Sequence, residues 1–508
     1  MDLATLKGER IHREDEMRRI LVALAAVLLS TTAFAQTLKV SPPRNIIDID
    51  PHGPNALLRE SVLVARQVFE TLVRFDGDEP VGVLAESWKQ IDNKTWEFKL
   101  RPGVKFHDGS AFDSTDIKAS AERLSRAKGG LASQWKVLES VETPDPLTAI
   151  IRLKNPVGPF LRITSFLSIA PSEVIDAKGP EEYGAGVILP GTGPFKIGDF
   201  SPGDSLTVTT NPDYWGEKPK IDGLQFVNIP EQTARVTAIL NGEVDIAWAF
   251  SDDEVSTLRS EPTVKVDIVP SATYGYTWFN AARKPFDDPR VRQAMWHAID
   301  VEMVLRDLKP ETGTPARNVI PETVFGFTPL QPYAYDPEKA KALLAEAGFP
   351  QGFQTSLLFG QNFFPGISDF GQIFVSYWDA IGVKVRPLEQ ERAIFTQNFR
   401  EMNWDMVLSS NPALTLDADY TVGRLYYSEN KEMNYTNLDL DKLLLAAKAE
   451  SDQGKRKELY AEATKVIWDD AVGIFWGDLK IVYAARSNVS GLQFSPIEAP
   501  YLAGVTVD

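Results

Sequence analysis

The chain has 508 residues and a mass of 56.4 kDa, well beyond the ~150 residues of one ordinary domain. Its 43% hydrophobic and 24% charged residues exclude a collagenous, coiled-coil or largely disordered polypeptide. Lys plus Arg total 53 against 70 for Asp plus Glu, a formal charge of -17 that argues against nucleic acid and polybasic docking to anionic lipid. Zero cysteines exclude disulfides, thiolate metal sites and a cysteine nucleophile, and four histidines leave little for metal or base chemistry.

The run Ile20 to Leu29 is preceded by Arg18 and Arg19 and followed by Ala33-Phe34-Ala35. It is too short for the ~20 residues that span a bilayer, whereas a basic start, a brief apolar centre and an A-x-A end are the parts of a secretory signal. The expected signal is 17–35, with translation starting at Met17, residues 1–16 a mis-assigned start and Gln36 the first mature residue. The competing reading is a buried core helix. No further apolar stretch of 18 residues follows, so the mature protein is expected to be soluble and periplasmic.

Beyond Gln36 the apolar residues alternate between helical and strand periods. Ala65, Val68, Phe69 and Leu72 form one helical stripe that Gly77 and Pro80 should end. Trp96, Phe98 and Leu100 alternate with polar residues as in a half-buried strand, and the RPGV turn leads into KFHDG. Asp288-Pro289 opens a helix carrying Val291, Ala294, Met295 and Ala298. Asp336-Pro337 opens another with Ala340, Leu343, Leu344 and Ala347, closed by Gly348. Leu459, Ala463, Val466 and Ile467 make a late stripe. Strand-like pieces at 244–250 and 382–388 lie between helices, the alternation of α/β lobes with mixed sheets.

Catalytic signatures are missing. The chain has no G-x-S-x-G elbow, phosphate loop, H-E-x-x-H pair or strand-bound G-x-G-x-x-G. His52, His107 and His297 read as turn or surface histidines making one hydrogen bond each, His297 falling off its helix's apolar stripe. Asp48-Ile49-Asp50 lacks the spacing of a calcium loop and reads as a turn. No catalytic residue, cofactor or metal is expected.

The stretch AESWKQIDNKTWEFKLRPGVKFHDGSAFDSTDIKASAERL (85–124) resembles the signature of the periplasmic solute-binding proteins of ABC importers, peptide/nickel/opine class, also called family 5. The similarity continues through GTGPFKIGDFSPGDSLTVTTNPDYWGEKPKIDGLQF (191–226), FNAARKPFDDPRVRQAMWHAID (279–300), YDPEKAKALLAEAGF (335–349), IGVKV (381–385) and DQGKRKELYAEATKVIWDDA (452–471) in family order. It implies an α/β two-lobed clamshell with an extra subdomain in the first lobe. The expected division is 36–80, 190–268 and 481–508 as lobe I, 81–189 as the insertion and 269–480 as lobe II. The partners implied are a small-molecule ligand and the permease subunits, for a monomer.

In dipeptide-binding relatives an arginine holds the ligand carboxylate and an aspartate its ammonium. Here the corresponding positions fall at Gln361, followed by Asn362 and Phe363, and near Leu414, so neither charged clamp is kept. Gln361 and Asn362 offer neutral groups instead. Leu416 to Tyr420 resembles a run in the glutathione-like, broader-specificity members. Arg392 can supply a guanidinium to an acidic group or remain a solvated helix residue. Phe363 and Tyr420 can stack on a ligand or simply pack. Asp417 and Asp419 can hold an ammonium or cap a helix. His52 and Trp278 enter the cleft only by the family pattern. The ligand implied is peptide-like or opine-like; the alternatives are an oligosaccharide, given eleven tryptophans, an exported hydrolase, or a periplasmic chaperone or chemoreceptor adaptor. A nickel chelate is disfavoured by the few histidines.

Overall fold

Local chemistry sets several boundaries. Asp288 accepts the backbone N–H of Arg290, and Pro289 occupies the first position of the helix Pro289–His297. Asp336 accepts the N–H of Lys339 to start Pro337–Glu346, and Gly348 follows its end at a φ of +90°. The computed structural model describes residues 36–179, 182–184, 186–361 and 363–507; the expected signal, 17–35, lies outside them. By contacts the chain divides into Met1–Thr37, nearly all outside the described residues, and Leu38–Asp508.

The first strands are β1 (Thr37–Ser41), β2 (Val73–Asp76) and β3 (Glu79–Gly82), then β4 (Ala85–Asp92), β5 (Thr95–Leu100), β6 (Leu138–Asp145) and β7 (Thr148–Leu153). There follow β8 (Phe195–Ser201), β9 (Ser205–Thr210), β10 (Gly223–Val227), β11 (Ile246–Trp248), the long β12 (Val264–Phe279) and β13 (Gly313–Thr314). The later ones are β14 (Gln354–Gly360), β15 (Lys384–Gln390), β16 (Met406–Pro412) and β17 (Gly473–Arg486). One sheet runs in the order β15-β14-β16-β12-β17-β11-β1-β10-β9-β8, with β13 on β17; a separate sheet has the order β4-β5-β7-β6. In β5 the alternation predicted from Trp96, Phe98 and Leu100 holds, and these three residues face the core.

The helix predicted through Leu72 is shorter. Arg59–Val68 ends at Val68, and Phe69 is already extended. The physical reason is a partner from far along the chain: the Gly193 N–H takes the Val68 carbonyl at 2.9 Å. A Cβ on Gly191 would stand 2.0 Å from that same oxygen, so only glycine allows the approach. Gly77 is instead the tip of the β2-β3 hairpin, at a φ of +58°, and Pro80 lies within β3 opposite Phe75.

Two histidine expectations are also corrected. His52 is fully buried, with Nε2 2.7 Å from the Ser168 carbonyl, and burial pushes its pKa down to about 4. His297 is buried as well, 2.8 Å through Nδ1 from the Ala334 carbonyl. The loop that covers it comes from outside its helix, which periodicity along that helix cannot register. His107 does sit in a turn but makes two bonds, Nδ1 accepting from Gly191 N–H and Nε2 donating to the Gly193 carbonyl. Trp135, Trp248, Trp278, Trp378 and Trp476 are core residues, leaving them no face for a sugar ring.

Candidate functional site

In open α/β sheets ligands collect at the carboxyl ends of parallel strands. Here β15, β14 and β16 are parallel neighbours that end at Gln390, Gly360 and Pro412. Strand β1 is parallel to β11, the two ending at Ser41 and Trp248. Strand β12 links the two sets. Its first half pairs with the end of β17, from Val264 opposite Arg486, and its second half pairs with β16, from Thr273 opposite Pro412. Since β11 and β12 are both antiparallel to β17, β11 points toward the same level that β16 reaches from the other side. At that level the β12-β17 register jumps, between Pro270 and Tyr274. A bulge bends a strand pair and weakens its ladder.

Polar side chains gather at this level. Arg59, opening its helix, pairs with the Glu498 carboxylate and donates at 3.0 Å to Thr273 Oγ1. Arg44 donates to Glu498 at 3.0 Å and lies 3.6 Å from Glu60. Burial alone would raise Glu498, but the Arg59 and Arg44 guanidiniums outweigh it and hold its carboxyl below the usual range. From the other side, Asn411 donates through Nδ2 to the Tyr274 hydroxyl at 3.0 Å. Arg424 lies over the Tyr420 ring at 5.2 Å, pairs with Glu432 at 3.3 Å and is close enough to the Tyr274 hydroxyl, at the register jump, to act on its charge. Three guanidiniums thus border the junction, and Arg44 remains 43% exposed, able to meet an incoming anion.

The residues predicted from the sequence divide into two groups. Gln361, Phe363 and Arg392 come together at the strand ends. Gln361 is exposed just after β14 and donates its N–H to the Gln390 carbonyl at 2.8 Å. Phe363 packs on Phe395, ring centres 5.4 Å apart, and the exposed Arg392 guanidinium lies 5.8 Å from the Phe363 ring centre. Asn362 lies outside the described residues. Tyr420 is half-buried beneath Arg424.

Of the remaining four, His52, Trp278 and Asp417 are interior and Asp419 is half-buried. Trp278 is buried and stacked 3.7 Å from Tyr276, and His52 is enclosed as described. Asp417 is buried against Arg456, with Arg162 at 3.9 Å, and accepts the Asp419 N–H at 2.9 Å. Asp419 accepts from the Tyr460 hydroxyl at 3.2 Å, and burial pushes its carboxyl up. Asp417 thus accepts a backbone N–H two residues on and is also committed to cations of the protein itself. The burial of Asp417 against these cations opposes its ammonium role, and the burial of His52 and Trp278 opposes their placement in the cleft.

Arg44, Arg59, Arg424, Glu498 and Asn411 escaped the sequence reading. For Asn411 a signal existed, an Asn-Pro pair closing the apolar run Met406 to Leu408. For Arg44 and Arg59 none existed, because Glu498 and Thr273 lie hundreds of residues away; Arg424 has near neighbours as partners, Tyr420 and Glu432, but nothing local says which strands it approaches. Among the described residues no three His, Cys, Asp or Glu side chains are grouped to hold a metal ion. Nor is any described helix long and apolar enough to cross a membrane.

The model of the bacterial extracellular solute-binding proteins, family 5 (middle), matches residues 79–433. The glutathione-binding protein GsiB of Salmonella paratyphi A (strain ATCC 9150 / SARB42) is 29% identical over 496 residues, covering 94% of this chain and 95% of the relative. The periplasmic binding protein DppA of Helicobacter pylori, solved with the peptide STSA, superposes with a TM-score of 0.79 at 26% identity, covering 93% of this chain and 98% of that one. A dipeptide-binding protein from Pseudoalteromonas sp. SM9913, solved with Met-Leu, does so with a TM-score of 0.80 at 25% identity, covering 93% and 100%.

Proposed function

The chain belongs to the bacterial extracellular solute-binding proteins of family 5, and on that premise we propose that it captures a small solute in the periplasm and hands it to an ABC permease. The observation that carries this reading is the convergence of two sets of parallel-strand ends on the bend of β12 and β17. A solute held there touches both halves of the sheet. Closure then reports occupancy, provided the solute binds the closed form more tightly than the open one. The division into lobe I (36–80, 190–268, 481–508), insertion (81–189) and lobe II (269–480) belongs to the same proposal. So do export by cleavage before Gln36, a monomeric state and the absence of catalysis.

The ligand class we propose is a small peptide-like compound rich in carboxylates, with glutathione and opine-type conjugates as the first candidates. Arg44 and Arg424 offer guanidinium forks that match carboxylates, while Gln361 and Asn411 offer neutral amides. Asp417, already paired, offers a ligand ammonium little.

The test is thermal unfolding with glutathione, dipeptides, opines and oligosaccharides. A ligand at 100 times its Kd stabilises the native state by about 2.7 kcal/mol. Stabilisation by an oligosaccharide alone would overturn the ligand class, and turnover of any of these compounds would overturn the binding-protein reading. Small-angle scattering should show a smaller radius of gyration at saturation. With the ligand identified, Gln361→Ala should cost about 0.5–1.5 kcal/mol of binding and Arg392→Ala about 1.5–3 kcal/mol for an anionic partner. Both side chains are exposed, so the melting temperatures without ligand should stay at the wild-type value.

A further inference from the structure

A cavity of about 370 Å³ lies along the bend of the two long strands, lined by Pro270 and Ser271 of β12, by Asp478, Leu479 and Lys480 of β17, and by Glu322. It occupies the place where pairing jumps from Pro270 opposite Lys480 to Tyr274 opposite Asp478. None of the strand-end residues described above lines it. Asp478 is half-buried, and its enclosed Oδ1 has no hydrogen-bond partner among the described residues. An unpaired buried carboxyl oxygen costs free energy, and a native fold keeps one where something else meets it.

The charged groups facing the cavity are Asp478 and Lys480 of β17 and the exposed Glu322. No ion pair joins Lys480 to either carboxylate among the described residues. The nearby hydroxyls already donate to the strand itself, Ser271 Oγ to the Leu479 carbonyl at 2.5 Å and Thr314 Oγ1 to that of Asp478 at 3.5 Å. Two carboxylates fall well short of the six to eight oxygens a calcium ion takes. Ile268, Pro321 and Leu479 add apolar wall. One acid with an enclosed, unpartnered oxygen, a second at the mouth and an aliphatic lining suit an alkylammonium ion with a short carbon stem.

We infer that this cavity is a second ligand site, in which Asp478 takes the ammonium group of a small primary amine beside the bend of β12 and β17. Because the cavity lies on the bend, an amine there stabilises whichever hinge geometry preserves it and so couples to closure of the solute cleft. Burial, with Glu322 adding to it, pushes the Asp478 carboxyl up to about 8, so at neutral pH it carries a proton. Forming the ion pair transfers that proton from the carboxyl to the buffer. Amine binding should therefore release about one proton at pH 7 and little above pH 9, where Asp478 is already ionised while an alkylamine, with a pKa of about 10.4, remains charged.

The experiment is calorimetric titration of n-butylamine into the full mature chain, at pH 7 in two buffers of different ionisation heat and again at pH 9. Expected are saturable binding, proton release at pH 7 that fades at pH 9, and no binding of n-butanol, which has the same stem without the charge. Asp478→Asn should lose binding by tenfold or more. Glu322→Gln, at the exposed mouth, should weaken it less and keep the proton release, which preserves the test if the Asp478 variant misfolds. Absence of binding in the wild type, equal affinity in Asp478→Asn, binding of n-butanol equal to that of the amine, or binding without proton release at pH 7 would each overturn the site.

Discussion

Replacing Arg123 by Met should cost about 3–5 kcal/mol of folding stability, the usual price of leaving one partner of a buried ion pair alone. Arg123 and Asp50 are both almost completely inaccessible, and the guanidinium reaches both carboxylate oxygens, at 2.7 and 2.8 Å. The same carboxylate accepts the His52 N–H at 3.0 Å and the Gly184 N–H at 3.1 Å. Arg123 also donates to the Glu182 carbonyl at 2.5 Å. The pair therefore ties the helix Ser114–Arg126 to the turn after Asp48 and to the segment around Gly184. In urea the variant should unfold at a lower midpoint with an unchanged slope. The double replacement Asp50→Leu with Arg123→Met should recover part of the loss, because it removes the orphaned charge. A single-variant cost under ~1 kcal/mol, the range of surface pairs, would show that water reaches this pair.

Asp417→Asn should have an effect of comparable size, about 3–5 kcal/mol, and it separates a structural role from a ligand-binding one. The Asp417 carboxylate faces Arg456, from the helix Gln453–Asp469, and Arg162, from Phe160–Thr164. Arg162 also donates to Asp78 at 3.0 Å, and nearby the Gly158 N–H donates to the Lys448 carbonyl at 2.7 Å. Removing the Asp417 charge leaves the two buried guanidiniums of Arg162 and Arg456 with no carboxylate between them. The melting temperature without ligand should fall. Arg162→Met should cost less, since its distance of 3.9 Å to Asp417 is long for a hydrogen bond and Asp78 is half exposed. Normal stability of Asp417→Asn combined with lost affinity would return Asp417 to the solute site as an ammonium holder.

What the sequence determined by itself was local or spread along the whole chain. Asp288 and Asp336 cap helices through N–H groups two and three residues away, and the β5 alternation is complete within one strand. Such signals survive in the sequence because both partners are near neighbours. The family phrases were equally legible, since their order along the chain is itself the information, and they led to the α/β clamshell. Only the tertiary structure decided the rest. Arg59 finds Thr273 at a separation of 214 residues and Arg456 finds Asp417 at 39, and no periodicity links either pair. Val68 ends its helix because Gly193 claims its carbonyl, and His52 is buried by a chain segment more than a hundred residues away. An arginine or aspartate reads the same in sequence whether exposed or buried; packing decides, because a charge is kept in the interior only where a distant partner arrives to neutralise it.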